Sequence, residues 1–231
     1  MKILVVQNKM GIGDMVIYLP FIKAISKKFN TTVSILVKES SKAEQFLKNN
    51  NFIDKIIILE RDNKLKRGRH EGLVGSYNLV KDLEQYDFDK VFIFNSSFRF
   101  NLIVRAARIK NIYQYPLLQK KKQHIIQAAK KLLKKNLDLS VETNPEISIN
   151  DHSVKEARSR YKINNNEKNI LLGVGGSGPT KRIPATIFIK LMHLITQKYK
   201  CKFFLATGKN IQEQEILKEI LNTEFKNECY R

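Results

Sequence analysis

Asp14 is the first residue whose type and position could do chemistry. It ends the segment Gly11-Ile-Gly-Asp14, which follows the apolar run Ile3 to Val6. Beyond it Met15, Ile17, Tyr18, Phe21, Ile22 and Ile25 recur at helical spacing. A strand, a turn carrying Gly11 and Gly13, and a helix are expected in that order. Glycine lets the main chain turn tightly. The N–H groups and partial positive charge of the helix's first turn favour an anionic side chain there. A carboxylate at the carboxyl end of a first parallel strand stands where a general base would work. The same position also suits a helix cap, and the spacing leaves both roles open. The G-x-G-x-x-G dinucleotide fingerprint fails because Val16 occupies its last position, so no nicotinamide cofactor is expected.

A second candidate is the loop from Gly173 to Pro184, which holds Gly175, Gly176, Ser177, Thr180, Lys181 and Arg182. A glycine-rich turn between strand and helix presents N–H groups to an anion, and its cations add to the attraction. It is not an ATP-hydrolysing P-loop, because Pro179 stands where that motif needs lysine. A solvated, flexible loop is the plainer alternative. A third group of cations, Lys66, Arg67, Arg69, Arg99 and Arg105, lies beside the ends of expected strands. They could receive an anionic acceptor, or they are ordinary surface charges. His70, His124, His152 and His193 share no ligand spacing, so no metal site is expected. Ser96 and Ser97 lack the G-x-S-x-G elbow of a nucleophilic serine. Cys201 and Cys229 form no C-x-x-C pair and read as reduced thiols without a role, Cys201 in a strand and Cys229 in the tail.

The elements that must hold these residues alternate. Expected strands at Ile3–Val6, Thr32–Val37, Lys55–Leu59, Lys90–Phe94 and Ile112–Tyr115 are separated by helical patterns, including Glu71–Gln85, Arg99–Ile109 and a basic stretch from Gln119 to Asn136. That alternation predicts a parallel sheet with helices on both faces. The composition changes between Asp138 and Asn169, and the pattern then restarts: strand Asn169–Val174, the glycine loop, a helix from Pro184 to Tyr199, strand Lys202–Ala206 and helix Ile211–Leu221. The expected organisation is an α/β Rossmann-like domain over 1–145, a linker with a short helix over 146–168, and a partial Rossmann-like domain over 169–231. The last of these shows two strand–helix units and no closing element after its final helix.

With 42% apolar and 28% charged residues the chain has a globular composition, and no apolar run approaches the ~20 residues of a membrane span. The start lacks the apolar core and cleavage site of a signal peptide, so a cytoplasmic location is expected. The formal charge of +20 favours polyanionic partners: nucleic acid, an anionic membrane face or a phosphorylated glycolipid. A lysine- and asparagine-rich composition accounts for it equally well. No helix-turn-helix, zinc pattern or aromatic-rich strand motif supports specific nucleic-acid binding.

Ile3 to Val6, then Gly11-Ile-Gly-Asp-Met-Val-Ile-Tyr-Leu-Pro20, resembles the opening of glycosyltransferase family 9, typified by the ADP-heptose:lipopolysaccharide heptosyltransferases. Tyr86 to Asn95 is similar to that family's central strand. Gly173 to Pro184 resembles its second-domain loop, with Lys181 and Pro184 matching and Ile183 in place of a tryptophan. The resemblance implies a GT-B fold of two Rossmann-like domains facing across a cleft. It implies an inverting, metal-independent transfer without a cofactor, from a nucleotide sugar such as ADP-heptose to a lipopolysaccharide core or other anionic glycolipid, with peripheral contact at the inner membrane. Asp14 would be the base, Lys181 would face the donor diphosphate with Ser177 and Thr180, Glu213 would meet the nucleotide ribose, and Lys66, Arg67, Arg69 and Arg99 would lie on the acceptor side. The family runs on past the end of this chain, through a donor-gripping loop and a returning helix. The expectation is therefore weak or absent activity in the isolated chain, or a need for a partner. A truncated remnant and a basic nucleic-acid-binding protein are the alternatives.

Overall fold

The computed structural model describes residues 1–9, 11–48, 50–61, 68–117, 123–163, 166–176 and 178–230. The chain divides into two compact units, Met1–Ile149 and Asn150–Arg231.

Unit 1 contains β1 (Ile3–Gln7), α1 (Ile12–Phe29), β2 (Val33–Lys38), α2 (Ala43–Leu47), β3 (Ile53–Leu59), α3 (Gly72–Glu84), β4 (Lys90–Ile93), α4 (Phe98–Ala106), β5 (Asn111–Gln114) and α5 (Ile125–Leu137). All five strands are parallel in the order β3-β2-β1-β4-β5. Ile3 sits opposite Val33 on one side and Lys90 on the other. The central strands are mostly apolar, with Gln7 and Ser34 the buried polar exceptions among the described residues, because both faces are covered. Ile3 and Val5 turn to the side of α1, α2 and α5, whereas Leu4 and Val6 turn to α3 and α4. Each fully buried Val, Leu or Ile contributes roughly 1.5–3 kcal/mol. The strand order reverses between β1 and β4, and that switch point is where a doubly wound sheet opens for a ligand.

Helix α1 buries Met15, Tyr18, Phe21, Ile22 and Ile25, as its spacing predicts, and ends at Asn30 in the left-handed conformation, φ 48°. The start of α3 is set by a close approach. A Cβ on Gly75 would lie 2.1 Å from the carbonyl carbon of His70, so only glycine fits. The basic stretch expected from Gln119 begins as helix at Ile125 among the described residues; 118–122 lie outside them.

Unit 2 contains α6 (Asp151–Arg160), β6 (Lys168–Gly173), α7 (Ala185–Thr196), β7 (Cys201–Ala206), α8 (Ile211–Leu221) and β8 (Cys229–Tyr230). Its strands are parallel in the order β6-β7-β8. Leu172, Phe188, Met192, Phe203, Leu205, Leu217 and Ile220 form its core. The expectation that no closing element follows the last helix is corrected. After α8 the 3-10 turn Glu224–Glu228 buries Phe225 against Phe203, ring centroids 5.9 Å apart, and thereby brings Cys229 and Tyr230 alongside β7. Cys229 is thus a strand residue and not a tail residue. Burial pushes its thiol up to about 11 and raises that of Cys201 as well, so neither is a ready nucleophile. Pro184 caps α7 and stands just outside its first turn.

Candidate active site

The switch point of unit 1 is lined by the turns after β1 and β4. Asp14 is the third residue of α1, partly buried, and its Oδ2 accepts from the Gly11 N–H at 3.4 Å. Both readings of Asp14 therefore describe the same geometry. The long contact is a weak cap on the helix N-terminus. Asn95, at the end of β4, donates to Asn8 Oδ1 at 3.3 Å and ties the two turns together. Gln114 holds the second turn from below, donating to the carbonyls of Asn95 at 3.2 Å and Ser97 at 2.9 Å. One turn along α1 from Asp14, Tyr18 packs on Phe94 with ring centroids 4.9 Å apart. Burial raises the hydroxyl pKa values of both Tyr18 and Tyr115, so neither competes as a base.

The cations expected on the acceptor side behave differently from one another. Lys66 and Arg67 lie outside the described residues. Arg69 donates to both oxygens of Asp82, at 3.0 and 2.7 Å. Arg99 donates to the His70 carbonyl and to Ser76 Oγ, the latter at 2.8 Å, and so joins the first turns of α3 and α4. Arg105 is exposed. Spacing had given no hint of His70. It is 3% exposed, and its Nδ1 accepts from the Glu60 N–H at 3.0 Å. A backbone N–H can only donate, so the ring proton sits on Nε2, which donates to Asp82 at 2.9 Å.

The Arg69 guanidinium, followed by the His70 bond, holds the Asp82 carboxyl below the usual carboxylate range. A folded-state value below the unfolded one stabilises the protein above the unfolded pKa and is lost as pH falls through the folded one. In thermal melts, the gap in melting temperature between wild type and Asp82→Asn is expected to be full above about pH 5 and to close progressively below about pH 4. A gap that stays constant to pH 2 would show that this carboxylate is not the cause.

In unit 2 the glycine loop carries an anion of its own. Glu213, on α8, accepts from the Gly176 N–H through Oε1 at 3.1 Å and from the Gly208 N–H through Oε2 at 2.9 Å. A Cβ on Gly175 would lie 2.7 Å from its carboxyl carbon and one on Gly208 2.4 Å from Oε2. Gly175 also has φ +150°, a backbone conformation that calls for glycine, and a side chain there would displace the carboxylate from its bonds. Arg182 donates to the Gly176 carbonyl at 3.2 Å and to Gln212 Oε1, closing the ring from the other side. Gly176 in turn packs on the main chain of Lys181, within 2.7 Å of its carbonyl oxygen for an added Cβ. Thr180 and Lys181 are exposed on the 3-10 turn Pro179–Lys181, and Ser177 lies outside the described residues. Among the described residues no three His, Cys, Asp or Glu side chains are grouped to hold a metal.

Two α/β units with parallel sheets, each with a glycine-bearing strand-to-helix turn, have the Rossmann-like architecture used by GT-B glycosyltransferases. The chain belongs to glycosyltransferase family 9 (heptosyltransferase), whose profile matches residues 76–231. That span begins within α3 and contains the glycine loop; Asp14 precedes it. The lipopolysaccharide heptosyltransferase 1 of Campylobacter coli is 26% identical over 96% of this chain and 68% of its own length. The Veillonella parvula family 9 glycosyltransferase superposes with a TM-score of 0.73 at 19% identity, over 96% of this chain and 67% of that one. The E. coli ADP-heptose lps heptosyltransferase II gives 0.69 at 19% identity, over 99% and 71%. The protein is therefore an enzyme of the glycosyltransferase type.

Proposed function

We propose that this chain transfers a heptose from an ADP-sugar to a lipopolysaccharide-type acceptor, with inversion and without a metal. The observation that carries the reading is Asp14 on the first turn of α1, at the strand-order reversal. Asp14 takes the proton of an acceptor hydroxyl as that oxygen bonds to the anomeric carbon. The bond from that carbon to the diphosphate oxygen breaks on the opposite side, and ADP leaves with the electron pair. Lys181, beside the glycine loop, stabilises the charge that grows on the leaving diphosphate, and Thr180 and Ser177 add hydroxyl donors. Family membership and the names of the relatives, which include ADP-heptose and lipopolysaccharide, support the donor and acceptor classes. They favour a transferase over a nucleic-acid-binding protein.

Titration calorimetry with ADP-, UDP- and GDP-sugars tests the donor half. ADP-sugar is expected to bind tightest, and Lys181→Ala to weaken it about tenfold or more, the loss of one charge-assisted contact. Preference for a UDP- or GDP-sugar would overturn the donor assignment, and unchanged affinity in Lys181→Ala would remove that lysine from the site.

A further inference from the structure

We propose that the turns after β1 and β4 form a subsite that reads the hydroxyl groups of the acceptor sugar, with the Asn8 side-chain amide as its anchoring donor. The assignment follows from which way each amide in this region points. The Ser97 N–H meets the Asn95 side chain at 2.9 Å, and a main-chain N–H can only donate, so the atom it meets is the Asn95 oxygen. The Asn95 nitrogen then faces Asn8 at 3.3 Å, and Asn8 turns its oxygen to receive it. What Asn8 has left is Nδ2, which donates to nothing among the described residues. Asn8 is half-buried and directly follows β1, at the mouth of the strand-order reversal.

The direction is set from further back. Gln114 donates Nε2 to the main-chain carbonyls of Asn95 and Ser97, which can only accept. Its oxygen therefore points the other way and accepts from Asn101 Nδ2 at 2.7 Å. Asn101 Oδ1 in turn accepts from Arg105 Nε at 2.9 Å, and a guanidinium can only donate. Each amide has one orientation that satisfies its neighbours, and hydrogen bonds in such a network polarise one another. The Asn8 amide is thus oriented before any ligand arrives, which is what lets a binding group select among hydroxyls.

Two hydroxyls share the second turn. Ser97 is the N-cap residue of α4, yet its side chain accepts no N–H from that helix, as a serine there ordinarily does. Ser96 beside it is also half-buried, and neither hydroxyl is hydrogen-bonded among the described residues. A few fixed neutral donors and acceptors at the opening of a sheet suit hydroxyl groups, which both give and take hydrogen bonds. The cations expected here are engaged with protein groups: Arg69 with Asp82, Arg99 with the His70 carbonyl and Ser76, and Arg105 with Asn101. Within the two turns, 8–11 and 94–97, the one charged side chain among the described residues is the exposed Lys9. That the ligand is the acceptor sugar rests on the proposed function.

The test is NMR titration of the isotope-labelled full chain with a lipopolysaccharide inner-core oligosaccharide freed of its acyl chains. The Asn8 side-chain NH2 signal, identified by its loss in Asn8→Ala, is expected to shift on binding. Asn8→Asp keeps the oxygen that accepts from Asn95 and deletes only the free donor. It should weaken binding about five- to tenfold, the loss of one neutral hydrogen bond, with unchanged melting temperature. Asn8→Ala should weaken it at least as much, and Lys9→Ala should bind as wild type. In steady-state transfer from ADP-heptose, Asn8→Asp should raise the acceptor KM and leave the ADP-heptose KM alone. An Asn8 signal unmoved by the oligosaccharide, or wild-type binding by Asn8→Asp, would overturn the proposal. So would an equal loss in Lys9→Ala with binding that falls off in salt, since the contact would then be ionic. A shifted Asn8 signal without sugar transfer would keep the subsite and discard the transferase reading, whereas transfer by Asn8→Asp at the wild-type acceptor KM would do the reverse.

Discussion

Asp14→Asn is expected to lower the turnover of sugar transfer by about 10²–10⁴-fold, the usual share of a general base, while donor affinity and melting temperature stay at wild-type values. The substitution is close to isosteric, and the amide oxygen can still accept the weak bond from the Gly11 N–H. The helix keeps its cap, and what disappears is the ability to take a proton. Loss of kcat without loss of binding is the signature of an interaction made in the transition state. The measurement is steady-state transfer from ADP-heptose, paired with donor titration of the same protein. If Asp14→Asn turned over at the wild-type rate, the carboxylate would be a helix cap and nothing more. If it melted several degrees lower, its effect on activity would have to be ascribed to folding.

Glu213→Ala is expected to be the most damaging change in unit 2. Its carboxylate is the shared acceptor for N–H groups of two loops that follow different strands, Gly176 after β6 and Gly208 after β7. Hydrogen bonds to a charged partner contribute about 1.5–3 kcal/mol each. Both are partly reachable by water, so the lower end applies. The larger effect is on order: without the carboxylate, the loop bearing Lys181 is held to α8 only through the Arg182–Gln212 contact, and donor affinity should drop about tenfold or more. Amide hydrogen exchange at Gly176 and Gly208 reports the clamp directly and should accelerate in Glu213→Ala. Glu213→Gln, which keeps one acceptor oxygen, should fall between. Unaltered exchange at both amides in the alanine variant would dismiss the clamp, whatever happened to activity.

What could be read from the sequence follows the reach of each interaction. The strand at Ile3–Gln7 and the buried face of α1 are written as local periodicity, and α8 spans Ile211–Leu221 as its pattern predicts. The place of Asp14 on a glycine turn was legible for the same reason. The clamp was not: Glu213 meets Gly176 across 37 residues, and no spacing rule joins a carboxylate to a main-chain N–H at that distance. The His70–Asp82 pair is similar, since it links a loop to a helix surface, and Gly75 becomes informative only once His70 is seen against it. Strand β8 was missed because two residues carry no alternation. Its pairing is decided by Phe225 entering a core already built.

The Glu213 clamp recognises main-chain N–H groups, not side chains. Descendants of this sequence are therefore free to exchange the side chains of both loops as long as the glycines at 175, 176 and 208 survive, since an added Cβ at 175 or 208 would push the carboxylate off its bonds and one at 176 would strike the main chain of Lys181. A lineage can try new sugars on an inherited frame without first dismantling it.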